Sequence, residues 1–277
     1  MKMEDSAAIL RFEHVSLEFD GAVALQDVSF SVAPGETRVI LGAAGSGKTT
    51  LLKTSVGLVR PDSGHVWLFG QDVTQMKEPA MFELRRRVGV LFQEGGLFDS
   101  LTIEENVAYP LVNARAANAR PERASITERK VTDALRFVEL EHTLDKFPSE
   151  LSGGMRRRVG IARAVVTDPP LVLYDSPTAG LDPITANTII ALIVKARDVR
   201  NTAALMVTHR YQDGQLVANF RYNSKSGRLE PASSNGDGSG RAKTLFMVMN
   251  EGRLVFEGTE TGLHASKDSY VSKFVKR

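Results

Sequence analysis

Cysteine is absent from all 277 residues. That excludes disulfide frameworks, Cys-ligated zinc, iron–sulfur clusters and thiol nucleophiles, and it fits a reducing compartment. An excess of one charge is lacking too: 35 Lys and Arg against 33 Asp and Glu leave +2, far from the footprint of a nucleic-acid binder. The basic triplets Arg85-Arg86-Arg87 and Arg156-Arg157-Arg158 carry no interleaved aromatics, so no nucleic-acid partner is expected. Long apolar runs are also missing. Thr188–Val194 and Leu245–Met249 fall well short of the roughly 18–20 residues of a membrane span. The opening MKMEDSAAILRFEHV has early acids and no apolar stretch, so a secretory leader is not expected. These absences point to a soluble, cytosolic protein, which leaves docking onto a membrane protein open.

What is present reads as α/β. A chain of this length carries a soft prior of two domains and buries a core without staples. Phe12, Val15, Leu17 and Phe19 roughly alternate with polar residues before the Asp20-Gly21 turn, as in a strand. Val28–Val32 is a second run, and Thr37–Leu41 is a short apolar strand ending at a glycine cluster. Thr49–Leu58 has helical spacing, and Gly64–Phe69 and Val88–Phe92 are further strand candidates. Residues 102–146 read as mostly helical, with Asn113–Thr127 least periodic. A second strand–helix series runs through Leu171–Tyr174, Pro183–Val199 and Ala203–Thr208, which predicts a mainly parallel sheet with crossover helices. Arg221–Lys243 contains PASSNGDGSG and reads as a flexible surface insertion. Order is expected to resume with strands at Leu245–Met249 and Arg253–Glu257, followed by a tail over 261–277.

Three segments carry chemistry. Gly42-Ala43-Ala44-Gly45-Ser46-Gly47-Lys48-Thr49 fits the phosphate-binding pattern G-x-x-x-x-G-K-[ST], with a strand before it and a helix after it. Its glycines let backbone N–H groups turn toward phosphate oxygens, and the helix start favours anions. Lys48 would reach the β- and γ-phosphates, and Thr49 would offer its hydroxyl to Mg²⁺. Leu171–Asp175 is an apolar strand ending in a carboxylate, placed like the Mg²⁺-side acid of phosphate-loop NTPases. Leu151-Ser152-Gly153-Gly154-Met155 precedes a basic helix over Arg156–Val166 and forms a second anion site by the same argument. One nucleotide does not need two such sites in one domain unless the second serves a neighbouring subunit.

Together these segments resemble the ATP-binding subunit of an ABC (ATP-binding cassette) transporter. Gly42–Thr49 resembles the Walker A loop, Gln93 in VLFQE the Q-loop, LSGGM the family signature and Leu171–Asp175 Walker B. Ala179-Gly180-Leu181-Asp182 resembles the D-loop, and His209 in VTHR the switch histidine. The resemblance implies a RecA-like P-loop NTPase core over about 10–260, with an N-terminal antiparallel β subdomain and a helical subdomain inserted over about 94–168. It implies ATP and Mg²⁺ as cofactors. Phe19 would stack on adenine, and the loop residues Gly42, Ala43, Ala44, Gly45, Ser46, Gly47, Lys48, Thr49 and Thr50 would hold the phosphates. Thr49, Gln93 and Asp175 would hold Mg²⁺, and His209 would contact the γ-phosphate. Ser152, Gly153, Gly154 and Asp182 would reach the ATP of a second copy, making the dimer the working unit. The other histidines, His14, His65, His142 and His264, belong to no motif and read as structural.

One residue departs from the family pattern. Ser176 stands in YDSPTAGLDP where a glutamate usually polarises the attacking water. A serine hydroxyl is a very poor proton acceptor near pH 7, and a positioned base is worth roughly 10²–10⁴-fold. Binding is expected to survive, and three readings of turnover stay open: slow hydrolysis with ATP acting as a dimerising switch, water positioned by Glu94 or His209, or hydrolysis by a partner with a complete site. LFQEGGLFDSLTIEENVAYPL and the Met of LSGGM further resemble the ATPases of Mla- or MCE-type phospholipid transport systems. That implies an integral membrane permease and an MCE-type substrate-binding protein as partners, at the cytoplasmic face of a bacterial inner membrane. Leu97, Phe98 and Leu101 are candidate permease contacts or core residues. A non-transport ABC ATPase acting as a mechanical or regulatory module is the alternative.

Overall fold

The computed structural model describes residues 8–113, 124–232 and 244–275. Its centre is a six-stranded sheet in the order β12-β11-β3-β8-β7-β6. The strands are β3 (Thr37–Leu41), β6 (Val88–Leu91), β7 (Leu171–Asp175), β8 (Ala203–Thr208), β11 (Thr244–Asn250) and β12 (Arg253–Gly258). All pairs are parallel except β11 with β12. Every residue of β3, β7 and β8 is buried, as strands covered on both faces require.

Period-2 alternation sorts these strands between two cores. Val39, Leu41, Val172, Tyr174, Ala204, Met206, Phe246 and Val248 face one side. There they meet α3 (Ile103–Val112), α4 (Ala124–Phe137), α5 (Gly153–Val165), α6 (Pro183–Arg200) and α7 (Tyr211–Asn219). Ile40, Leu171, Leu173, Leu205, Val207, Met247 and Met249 face the other side. On that side they pack with α1 (Lys48–Ser55), α2 (Glu78–Arg85) and an antiparallel sheet. This second sheet has the order β2-β1-β4-β5, from β1 (Leu10–Phe19), β2 (Ala22–Val32), β4 (Ser63–Leu68) and β5 (Gln71–Asp72). The expected P-loop NTPase core, antiparallel β layer and helical segment are therefore all present.

The rough alternation in β1 has a local cause. His14 adopts φ 49°, and the pairing with β2 slips between Phe12 and Val15. A bulge thus keeps both apolar side chains on the buried face. Phe19, past the last irregularity, is 47% exposed.

Three expectations need correction. Residues 221–231 are not a structureless loop: β9 (Phe220–Asn223) and β10 (Arg228–Pro231) form an antiparallel hairpin. Asn223 closes it, its Oδ1 accepting from the N–H of Lys225 and Ser226 while its amide nitrogen donates to Glu230. Most of PASSNGDGSG, on which the loop reading rested, lies outside the described residues. The segment 261–277 is more than a tail, because α8 (Glu260–Ala265) and α9 (Ser269–Val275) bury Leu263 and Val271 in the main core. Of the aperiodic stretch over 113–127, residues 124–127 belong to α4, while 114–123 lie outside the described residues.

Asn106 braces the turn leading into α3. It is fully buried; its amide nitrogen donates to the carbonyls of Phe98, Leu101 and Thr102, and its Oδ1 accepts from Phe98 N–H. Asn106→Ala is expected to cost about 2–3 kcal/mol, since it strands buried polar groups. Urea denaturation followed by circular dichroism checks this, and an unchanged midpoint would contradict it.

Candidate functional site

The parallel register brings the chemistry to one edge. Leu41 pairs with Thr208, Asp175 with Val207 and Leu91 with Tyr174. The loops after β3, β8, β7 and β6 therefore leave the same edge of the sheet, where α/β proteins bind ligands. Those loops carry Gly42–Gly47, His209, Ser176 and Gln93 respectively.

Close backbone approach dictates glycine in the phosphate loop. Gly47 caps α1 at φ 99°, and a Cβ there would lie 2.3 Å from the Ala24 carbonyl oxygen. A Cβ on Gly42 would meet Ser46 Oγ at 2.5 Å and Met249 O at 2.7 Å. Gly45 adopts φ 78° with open space beside it. Lys48 Nζ donates to Gly42 O, Ala43 O and Ser46 Oγ at 2.9, 2.6 and 3.1 Å, so its ammonium lies over the loop. Burial lowers its pKa from the usual lysine range, opposed by the nearby Asp175 carboxylate. Thr49 Oγ1 donates to Asp175 Oδ2 at 3.2 Å. A hydroxyl and a carboxylate on a hard cation, beside a loop of N–H donors and one lysine, are the donor set for a magnesium–nucleotide phosphate. The residues present fit that group.

Ser176 follows Asp175 in the left-handed region, at φ 48°. Its hydroxyl donates to Asp175 Oδ1 at 3.1 Å, and its N–H donates to Val207 O at 3.0 Å. The buried Arg157 of α5 donates to the carbonyls of Ser176, Pro177 and Ala179 at 2.9, 2.6 and 2.9 Å. Burial lowers its pKa, opposed by Glu94. Gln93, Glu94, Gly153, Arg156, Arg157 and Leu181 line a polar cleft of about 430 Å³. Glu94 is held at φ 63°, and Arg163 donates to the carbonyls of Gly95 and Gly96.

Ser152, Gly153 and Gly154 start α5, and Gly153 lines this cleft together with Gln93 and Glu94. Ser152 Oγ accepts from Met155 N–H as the N-cap. Gly154 is there for packing, since a Cβ would meet Thr185 Cγ2 at 2.5 Å, whereas a Cβ on Gly153 would meet Arg156 and Leu181 only at an ordinary contact distance of 3.9 Å. Asp182 caps α6 through the N–H groups of Ile184 and Thr185, and hydrogen bonds from Thr185 and Ile184 hold its carboxyl below the usual aspartate range. His209 is exposed at the end of β8, and Thr50 lies in the first turn of α1.

Motif reading alone missed Arg157, Asp213 and Tyr270. Tyr270 Oη accepts from Ala43 N–H at 3.3 Å and donates to Met249 O at 3.3 Å, so α9 reaches the phosphate loop. A lone tyrosine in an assumed tail gave no signal of this. A separate apolar groove of about 560 Å³ is lined by Phe82, Val90, Phe92, Phe98, Tyr109 and Arg163. Phe98 is open to it, whereas Leu97 packs on the core.

A family model described as ABC transporter matches residues 25–179. The chain belongs to the ABC transporter family. This cassette is 41% identical over 215 residues to the cell division ATP-binding protein FtsE of Escherichia coli, covering 77% of this chain and 92% of that one. It is 30% identical over 268 residues to the intermembrane phospholipid transport system ATP-binding protein MlaF of Haemophilus influenzae, covering 97% and 90%. Against the methionine import ATP-binding protein MetN of Bifidobacterium longum it is 36% identical over 220 residues, yet spans only 53% of that protein's length. Among solved structures, cbiO1 from Clostridium perfringens, part of the complex cbiONQ, superposes with a TM-score of 0.75 at 26% identity, covering 97% of this cassette and 94% of that chain. The cassette MJ0796, a dimer bound to ADP and Pi, gives 0.74 at 25% identity, covering 90% and 98%. No helix among the described residues is long and apolar enough to cross a membrane.

Gly47→Ala places a methyl against the Ala24 carbonyl and is expected to weaken binding of a fluorescent ATP analogue at least about tenfold, with the circular dichroism unchanged. An unchanged affinity in titration would contradict the close-approach account of the loop.

Proposed function

We propose that this chain is the ATP-binding subunit of a bacterial ABC transporter that closes as a homodimer on ATP to drive an integral membrane permease. Phospholipid is its proposed cargo, and the cytoplasmic face of the inner membrane its place of work. The observation that carries the reading is the Thr49–Asp175 pair set beside the glycine-walled loop and Lys48 at one sheet edge. Bound Mg²⁺·ATP supplies a phosphoanhydride polarised for attack by water. In this reading the loop N–H groups and Lys48 hold the phosphates, and Thr49 and Asp175 hold the cation, with Gln93 as a further ligand. Phe19, exposed at its strand end, stacks on adenine. His209 holds the γ-phosphate from the β8 side. Gly153, in the lining of the polar cleft, with Ser152, Gly154 and Asp182, meets the nucleotide of the second copy.

The apolar groove bearing Phe82, Phe92, Phe98 and Tyr109 supports permease docking beside Gln93, because exposed aromatics clustered in a groove mark interaction surfaces. The phospholipid assignment, with an MCE-type protein beyond the permease, rests on the likeness to MlaF along almost the whole chain. Lipid mass spectrometry of the purified permease complex tests it: enriched phospholipid supports the cargo, and its absence contradicts it. Likeness to FtsE over 92% of that protein favours a second reading, a regulatory or mechanical ATP switch. Capture of a permease without a lipid path would support that reading.

Ser176 cannot take the water's proton near pH 7, so the assembled wild-type complex is expected to turn over slowly. Ser176→Glu is expected to raise kcat by about 10²–10⁴-fold. Steady-state ATPase assays decide it. Ordinary wild-type turnover with no gain from glutamate would assign the water to another group, such as Glu94, or to a partner's site.

A further inference from the structure

Asp213, in the first turn of α7, belongs to none of the motifs, yet its carboxylate is 1% exposed. It is not the cap of α7: the N-cap is Arg210, whose own side chain makes no capping hydrogen bond. Instead its Oδ2 accepts from two hydroxyls, Thr178 at 2.5 Å and Thr208 at 2.8 Å, while Oδ1 faces Arg210 Nε at 3.6 Å. A buried carboxylate persists only where such donors satisfy it. The two hydroxyls come from different sides of the site. Thr178 follows Ser176 by two residues, and Thr208 immediately precedes His209. Thr208 Oγ1 also accepts from the N–H of Arg210 at 3.0 Å, so the backbone is fixed on both sides of His209.

We propose that Asp213 is a positioning residue that locks the Ser176–Ala179 segment to the His209 turn, so that the two sides of the phosphate site rearrange as one unit. The proposal deepens the ATP-driven reading and rests on it for its consequence in turnover. Arg157 grips the same segment from the other side through the carbonyls of Ser176, Pro177 and Ala179. A contiguous bonded path therefore runs from the signature helix α5 through Thr178 and Asp213 to Thr208 and His209. A shift of α5 on meeting a second copy reaches the switch histidine through hydrogen bonds rather than through loose loops. Two hydroxyls sharing one buried acceptor oxygen resist separation, because freeing either leaves a buried polar group unpaired.

The test uses the full chain and hydrogen exchange read on peptides spanning 176–182 and 207–212. Thr178→Val alters only the first segment and is expected to speed exchange in the second about tenfold; Thr208→Val is expected to do the reverse. In ATPase assays of the assembled complex, Asp213→Ala is expected to lower kcat about 10–100-fold, the scale of a mispositioned site, with KM within about threefold. Asp213→Asn keeps an acceptor oxygen and is expected to recover most of that loss. If each valine variant changes exchange only in its own segment, there is no lock and the proposal falls. A rise in KM at constant kcat would also overturn it. If Asp213→Ala fails to fold, the two valine variants carry the test alone. The exchange measurement needs no nucleotide, so failure of the ATP reading, seen as no binding of a fluorescent ATP analogue by the wild type, is told apart from failure of the lock.

Discussion

Parallel pairing of β3, β8, β7 and β6 is the constraint on which the rest depends. Its register leaves Leu41, Thr208, Asp175 and Leu91 at one edge, so four loops that are distant in sequence share a short rim. Parallel strands demand cover on both faces, and the alternation of Val39, Ile40 and Leu41 between two cores meets that demand. The antiparallel sheet with α1 and α2 closes one face, and the helical layer closes the other. Slipping any of these strands by one residue would exchange its two faces and displace its loop from the rim.

The rim is organised by polar contacts rather than by packing. Arg157 holds three carbonyls of one loop, Asp213 holds two threonine hydroxyls, and Arg163 holds Gly95 and Gly96. Each cation or carboxylate is buried beside its donors or acceptors. That arrangement fixes backbone at positions where left-handed conformations occur, as at Glu94 and Ser176. Ser176 is held beside Asp175 with a hydroxyl rather than a carboxylate, which separates nucleotide binding from fast turnover in the proposed mechanism.

Much of this was legible from residue order alone. The strand–glycine–helix pattern at Thr37–Leu58 and the apolar runs ending at Asp175 and Thr208 follow from local chemistry, and they located the rim. The first strand was readable despite the bulge at His14, because Val15 and Leu17 restore alternation past it, whereas the antiparallel layer it joins was implied by the family resemblance. What was hidden depends on long-range partners. The hairpin over 220–231 needs Asn223 and Glu230 to meet, a pairing that flanking Gly and Ser obscured. Burial of Leu263 and Val271 depends on a core built by distant helices, so α8 and α9 carried no motif. Arg157 stands in a basic triplet whose pattern does not single it out, and only the fold brings the carbonyls after Asp175 beside it. Asp213 had no pattern at all, since its partners lie 5 and 35 residues away.

The central claim is that ATP, bound at this rim, joins two copies of the chain through the start of α5. Sedimentation velocity of the full chain with and without Mg²⁺·ATP tests it most directly. The account predicts monomers without nucleotide and a dimer with ATP that outlasts the run, because Ser176 offers no base to discharge it. A chain that stays monomeric at saturating ATP, or whose dimer forms equally well without it, would contradict the account.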